Sequence, residues 1–194
     1  MASQNTGIAI ISETWFKARH ATAHTDIPGY ACFRLDRPRR RSGGVAIYID
    51  NSVKSELCQH YIHREYEALW VKSPLGGSPL FICAVYHPPK PVYSAEGFLN
   101  HIESTIATSV AENVKVVLLL AGDFNQLPDA AITALGLISF VNKPTHAGHF
   151  LDRIYCSQPL YNNIKLVTSL IRTKHRTIIA RPDNNFIRDV NKGR

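Results

Sequence analysis

Apolar positions along this chain fall mostly into short runs, and only once at helical spacing. Residues 8–12 form an apolar run ending in Glu13-Thr14-Trp15, the pattern of a buried strand that delivers a carboxylate at its end. Gly43-Gly44 turns the chain into residues 45–49, β-branched and aromatic enough to form a strand. Residues 67–71 and 80–86 predict two more strands, joined as a hairpin through Gly76-Gly77-Ser78-Pro79. Pro88, Pro89 and Pro91 end that pairing. A helix is predicted over residues 94–109, capped by Ser94, with Phe98, Ile102, Thr105 and Ile106 on its inner face. Residues 114–120 are continuously apolar, as in a strand covered on both faces, and empty into Gly122-Asp123-Phe124-Asn125. A short helix over residues 130–135 and strands over 151–156, 164–170 and 177–180 complete the elements. Residues 1–183 read as one domain, and 184–194 as a polar, asparagine-rich tail. Many strands, few helices and mixed connections predict an α/β (α+β) architecture of stacked sheets with flanking helices.

Composition narrows this picture only modestly. A chain of 194 residues with 45% hydrophobic and 19% charged residues has enough apolar material for a sizeable core. No apolar run approaches the roughly 20 residues that span a bilayer, and the first residues lack the pattern of a signal peptide, so no membrane partner is expected. Cys32, Cys58, Cys83 and Cys156 lie far apart, without the paired spacing of zinc or redox sites, and read as structural thiols of an intracellular protein. The formal charge of +7 favours a polyanionic partner, because lysine and arginine gain by displacing counterions from phosphates. Arginines concentrate at Arg34, Arg37, Arg39, Arg40 and Arg41, in a segment read as a loop because Pro38 excludes a regular helix. Such a cluster is either a solvated loop or a contact for backbone phosphates.

The chemistry sits where strands end. Glu13, Tyr86, Asp123, Asn125, Asp152 and His175 all stand at predicted strand ends, where rigid elements position groups and loops leave room for substrate. Glu13 and Asp123 are oxygen ligands suited to Mg²⁺, or to Mn²⁺ in its place, with Asn125 a neutral oxygen and amide donor beside them. His175 binds an anion or moves a proton near neutral pH, and Asp152 is placed to fix its tautomer. Each has a plainer reading: Glu13 as a turn cap, Asp123 and Asn125 as turn formers, Asp152 paired with Arg153 or Arg172, and His175 in a solvated basic stretch. Trp15, Trp70, Phe98 and Ile102 read as core.

Six motifs in order decide between these readings. Ile-Ser-Glu-Thr-Trp (11–15), Gly-Gly-Val-Ala-Ile-Tyr-Ile (43–49), Val-Tyr-His-Pro-Pro (85–89), Ala-Gly-Asp-Phe-Asn (121–125), Pro-Thr-His (144–146) and Leu-Asp-Arg-Ile (151–154) run along the chain. The series resembles the apurinic/apyrimidinic-endonuclease-like domain of non-LTR (LINE-type) retrotransposons, in the endonuclease/exonuclease/phosphatase superfamily, from about residue 8 to residue 181. The resemblance implies a DNase I-like four-layer sandwich, two mixed sheets between helices. It implies Mg²⁺-dependent nicking of double-stranded DNA, a nuclear place of action, and a parent polyprotein that carried a reverse transcriptase. It makes Glu13 a metal ligand, Asp123 the group that positions or activates water, Asn125 and Tyr86 phosphate contacts, and Asp152 the partner of His175. The histidine's role, base or phosphate binder, stays open. It also sets the arginine cluster beside the substrate face, with Arg39, Arg40 and Arg41 on backbone phosphates.

Two departures accompany the resemblance. The family opens with a strand bearing a functional asparagine, then a helix; only seven residues precede residue 8 here, and Asn5 is too close to serve. Thr173-Lys174-His175 stands where the family has Ser-Asp-His. A cation in place of that carboxylate would repel magnesium and lower the proton affinity of His175. Both departures point to an N-terminally truncated or decayed copy and predict weak or absent nicking by this chain. The reading is a nicking endonuclease by family, with a catalytically weak remnant that keeps residual nucleic-acid binding as the alternative.

Overall fold

The structure, a computed structural model, describes residues 6–20, 24–37 and 42–183. Asn5, the arginines at 39–41 and the tail at 184–194 lie outside the described residues. In chain order the strands are β1 (Ile8–Ser12), β2 (Tyr30–Leu35), β3 (Val45–Asp50), β4 (Glu56–Leu57), β5 (Glu67–Leu75), β6 (Ser78–Tyr86), β7 (Val117–Asp123), β8 (Ile138–Ser139), β9 (Asp152–Cys156), β10 (Tyr161–Thr168) and β11 (Arg176–Pro182). The α-helices are α1 (Ala95–Ala111) and α2 (Asp129–Thr133).

A six-stranded sheet in the order β4-β5-β6-β7-β9-β8 forms the centre, with β6 and β7 parallel and its other pairs antiparallel. Its middle strands are apolar on both faces, and the two-residue pleat sorts their side chains into two cores. Ala68, Trp70, Phe81, Cys83, Val85, Leu118, Leu120 and Tyr155 face one way, against Phe98 and Ile102 of α1 and Ile132 of α2. Leu69, Val71, Ile82, Ala84, Leu119, Ala121 and Ile154 face the other way, against Val45, Ile47 and Ile49 of β3. That second layer is a three-stranded antiparallel sheet, β1-β3-β2, accompanied by the β10-β11 hairpin, whose Ile178 and Ala180 pack on the same core. The sandwich of sheets is as expected. Only the central sheet is mixed, and both described α-helices lie on its outer face.

Expectations written within one local stretch hold. The hairpin turn at Gly76-Gly77, the helix and its cap are all present, and Ser94 Oγ accepts from the Gly97 amide at 3.0 Å. Ser94→Ala is therefore expected to destabilise the protein by about 1 kcal/mol, read as a small shift in thermal unfolding. Three element boundaries and the placement of Trp15 differ. The strand read from residue 114 begins at Val117, because β6 starts at Ser78 and position 114 would lie opposite the turn; Val114 is fully exposed. Arg34 and Leu35 belong to β2 rather than to a loop, paired with Ala46 and Val45. Strand β10 stops at Thr168, leaving Leu170 exposed in the following turn. Trp15 is not core: its ring is more than half exposed, whereas Trp70 is fully buried.

Candidate active site

One rung of the central sheet carries four functional side chains. Glu67 pairs with Tyr86, Tyr86 with Asp123, and Asp123 with Asp152. The pleat places all four on the face shared with Leu69, Ala84, Ala121 and Ile154, toward the second sheet. Close approach is needed to keep the row tight: Gly122 has φ of 142°, and a Cβ there would collide with the Val85 carbonyl. The glycine of Gly-Asp-Phe-Asn thus lets β6 and β7 meet beside the acids.

The second sheet closes over one end of this row. After β1 the backbone kinks, with Glu13 and Trp15 at φ of 55° and 57°, unusual for residues with side chains. The kink is pinned by amides of Thr14 and Trp15 donating to the carbonyls of Gly44 and Gly43 at 3.1 and 2.9 Å. It turns the exposed Glu13 toward the row, where its carboxylate accepts from the Tyr86 hydroxyl. Gly44 itself, at φ of 87°, has no room for a side chain, since a Cβ would sit 2.7 Å from Thr14 Oγ1. Its amide donates to Glu67, whose other oxygen pairs with Arg37. The Arg37 guanidinium in turn lies 5.6 Å from the centre of the Tyr86 ring.

The opposite end of the row holds the histidine. His175 Nδ1 lies 2.8 Å from Asp152 Oδ2, which fixes the imidazole and leaves Nε2 for a substrate. Thr145, fully buried, accepts the amides of Leu151 and Asp152 at 3.2 and 3.0 Å, while its carbonyl accepts from Arg176 at 2.9 Å. The Pro-Thr-His segment therefore ties the aspartate to the strand that begins just after His175. Between the two ends, Asn125 (φ 45°) donates its amide to the Asp123 carboxylate at 3.0 Å. Its side-chain nitrogen donates to the His87 carbonyl at 2.8 Å, and Arg153 grips its carbonyl at 3.0 Å.

Electrostatics mark the centre of the row. Asp123 is only 5% exposed. Burial first, then the neighbouring Asp152, push its carboxyl up to about 6, against the pull of the Asn125 amide and His175. Burial and the Glu13 carboxylate also raise the Tyr86 hydroxyl, so it stays a proton donor at neutral pH. Among the described residues, Asp123, Asp152 and His175 offer ligand atoms all within 4.8 Å of one another. Two crowded carboxylates and an imidazole fit a divalent cation, which would relieve the repulsion between Asp123 and Asp152. Glu13 lies outside that compact group but close enough to raise Asp123, on its Tyr86 side.

All six expected side chains therefore converge at one end of the sheets. Sequence reasoning did not single out Glu67, and it placed Arg37 only within the basic cluster beside the substrate face. The available signal was a carboxylate opening the apolar run of β5.

Stacked sheets with acids, a tyrosine and a histidine gathered at one end define a hydrolase of the DNase I-like fold. The chain belongs to the Endonuclease/Exonuclease/phosphatase family, whose pattern matches residues 2–167, a family of metal-dependent phosphodiester hydrolases. Its fold is similar to the endonuclease domain of TRAS1, a telomere-specific non-LTR retrotransposon, at 16% identity and TM-score 0.70 over 93% of this chain and 88% of that one. The 3′ phosphatase NExo from Neisseria, bound to a product DNA hairpin, is similar at 15% identity and TM-score 0.65, over 94% and 91% of the two chains. Truncated TDP2 from Caenorhabditis elegans is similar at 16% identity and TM-score 0.60, over 91% and 84%. No curated protein matches the chain in sequence. Among the described residues, no helix is long and apolar enough to cross a membrane.

Proposed function

We propose that this domain is a divalent-metal-dependent endonuclease that nicks double-stranded DNA in the nucleus and derives from a retrotransposon whose polyprotein also carried a reverse transcriptase. The observation that carries the reading is the in-register row from Glu67 to Asp152, closed by His175 at one end and Glu13 at the other. The likeness to the TRAS1 endonuclease domain supports the retrotransposon origin, and the net charge of +7 supports a polyanionic substrate.

Asp123 and Glu13 would hold Mg²⁺, or Mn²⁺, with Asp152 adjacent; the ion supplies Lewis acidity and charge neutralisation at the phosphate. Asp123 orients the attacking water. Asn125, gripped through its own backbone, presents its remaining amide hydrogen to a phosphate oxygen. Tyr86, kept protonated, donates to the phosphate when it leaves Glu13. Asp152 holds His175 so that Nε2 binds the phosphate or moves a proton there. Attack of water at phosphorus breaks the P–O3′ bond, leaving a 5′ phosphate and a 3′ hydroxyl that a reverse transcriptase extends. Arg39, Arg40 and Arg41 are assigned to backbone phosphates, because Arg37 and Gly43 on either side of them stand at the site.

A second reading, a catalytically weak domain with residual nucleic-acid affinity, rests on Lys174 in place of the expected aspartate. Incubation with supercoiled plasmid, with and without Mg²⁺, separates the two. Metal-dependent conversion to the open circle is the expected result, and Asp152→Asn is expected to slow it by about 10²-fold or more. Absence of nicking with both Mg²⁺ and Mn²⁺ would leave only the second reading.

A further inference from the structure

We infer that the open cleft lined by Lys143, Lys174 and Arg176 is a second binding site, which holds the phosphodiester backbone of the nucleic-acid strand next to the one cleaved phosphate. The inference rests on the nuclease reading above and extends it to residues that reading does not use. The cleft has a volume of about 470 Å³, and three cations but no carboxylate line it.

Its cations do not form a run on one flexible loop. Lys143 follows β8, whereas Lys174 precedes β11 and Arg176 opens it, and the Arg176 amide donates to the Thr145 carbonyl at 2.9 Å. The other wall is closed by reciprocal backbone bonds between His146 and His149, at 3.1 and 2.7 Å. All three cationic side chains are exposed, and among the described residues no carboxylate pairs with them. Three like charges converging on one concavity repel one another, and a polyanion relieves that repulsion while releasing its own counterions.

Contiguity with the site indicates which polyanion. The His146 ring packs on His175 at 4.5 Å between centres, and Thr145 in the cleft floor holds the backbone of Asp152. A strand whose phosphate meets His175 therefore continues into the cleft. Lys174 contributes here instead of the aspartate expected at its position, so the departure from the family enlarges a phosphate contact.

The test is equilibrium binding of the full chain to a duplex oligonucleotide in EDTA, across a series of KCl concentrations. Replacing Lys143, Lys174 and Arg176 together by alanine is expected to lower the slope of log K against log salt by about 2 to 3. Their side chains are exposed, so thermal unfolding should not change. Lys54→Ala combined with Lys115→Ala, beyond the far ends of β3 and β7, should leave the slope as it was. An unchanged slope in the triple variant, with the parent chain binding duplex, overturns this inference and leaves the nuclease reading intact. No duplex binding by the parent chain overturns both.

Discussion

Asp123→Asn is expected to stabilise the metal-free protein at pH 7.5 while abolishing metal-dependent nicking. The buried Asp123 carboxyl is raised to about 6 from an ordinary value of 3.8, by burial and then by Asp152. Because the folded state binds this proton more tightly than the unfolded state, the two differ most above pH 6, where ionised Asp123 opposes folding. The opposition fades as pH falls from about 6 to about 4, and is gone once both states are protonated. The rise from 3.8 to about 6 corresponds to about 3 kcal/mol. Asparagine keeps the acceptor for the Asn125 amide and removes the charge. A rise of at least about 5 °C in the melting temperature is expected at pH 7.5, shrinking toward zero near pH 4. Activity should fall by at least about 10³-fold, and added Mg²⁺ should stabilise the parent protein more than the variant. A variant that melts lower than its parent at pH 7.5 would show that the site is not organised around a destabilised carboxylate.

How much of this was legible beforehand depends on whether a residue announces itself locally. Asp123 and Asn125 follow a continuous apolar run, and such a run signals a strand buried on both faces with its end at a layer boundary. The Ser94 helix was legible for the same reason, because its cap and inner face are written within one stretch. Strand β2 was not. Ala31, Phe33 and Leu35 alternate with Tyr30, Cys32 and Arg34, a half-buried period-two pattern, but the arginines that follow masked it. The start of β7 was misplaced because apolar character at Val114 carries no information about where its partner strand begins. Glu67 illustrates the deeper limit. Its importance lies in register with Tyr86 and in contact with Gly44 and Arg37, and none of these is visible from the residues beside it. Cross-strand register is a property of the assembled sheet.

Glu67 is where that non-local information should be measurable. Its carboxylate is buried, paired with an Arg37 side chain that is 15% exposed, and it accepts the Gly44 amide. Burial raises its pKa, against the pull of Gly44 and Arg37. Glu67→Ala leaves a largely buried guanidinium without its counter-ion and a buried amide without an acceptor. Breaking a pair of this kind costs about 3–5 kcal/mol. The damage should reach the chemistry as well. Gly43 and Gly44 hold Thr14 and Trp15, and through them the kink that aims Glu13 at Tyr86. Nicking by the folded fraction is therefore expected to fall at least about tenfold. Glu67→Gln keeps an acceptor for Gly44 and should lie between the parent and the alanine variant. Removing Arg37 as well should recover part of the loss, because the stranded cation disappears. A double-mutant cycle of Arg37→Ala and Glu67→Ala should then give a coupling energy above about 2 kcal/mol. A coupling near zero, or a Glu67→Ala protein within 1 kcal/mol of its parent, would mean that Arg37 and Gly44 find water as readily as the carboxylate. In that case the kink at Glu13 would be held by β1 and β3 alone.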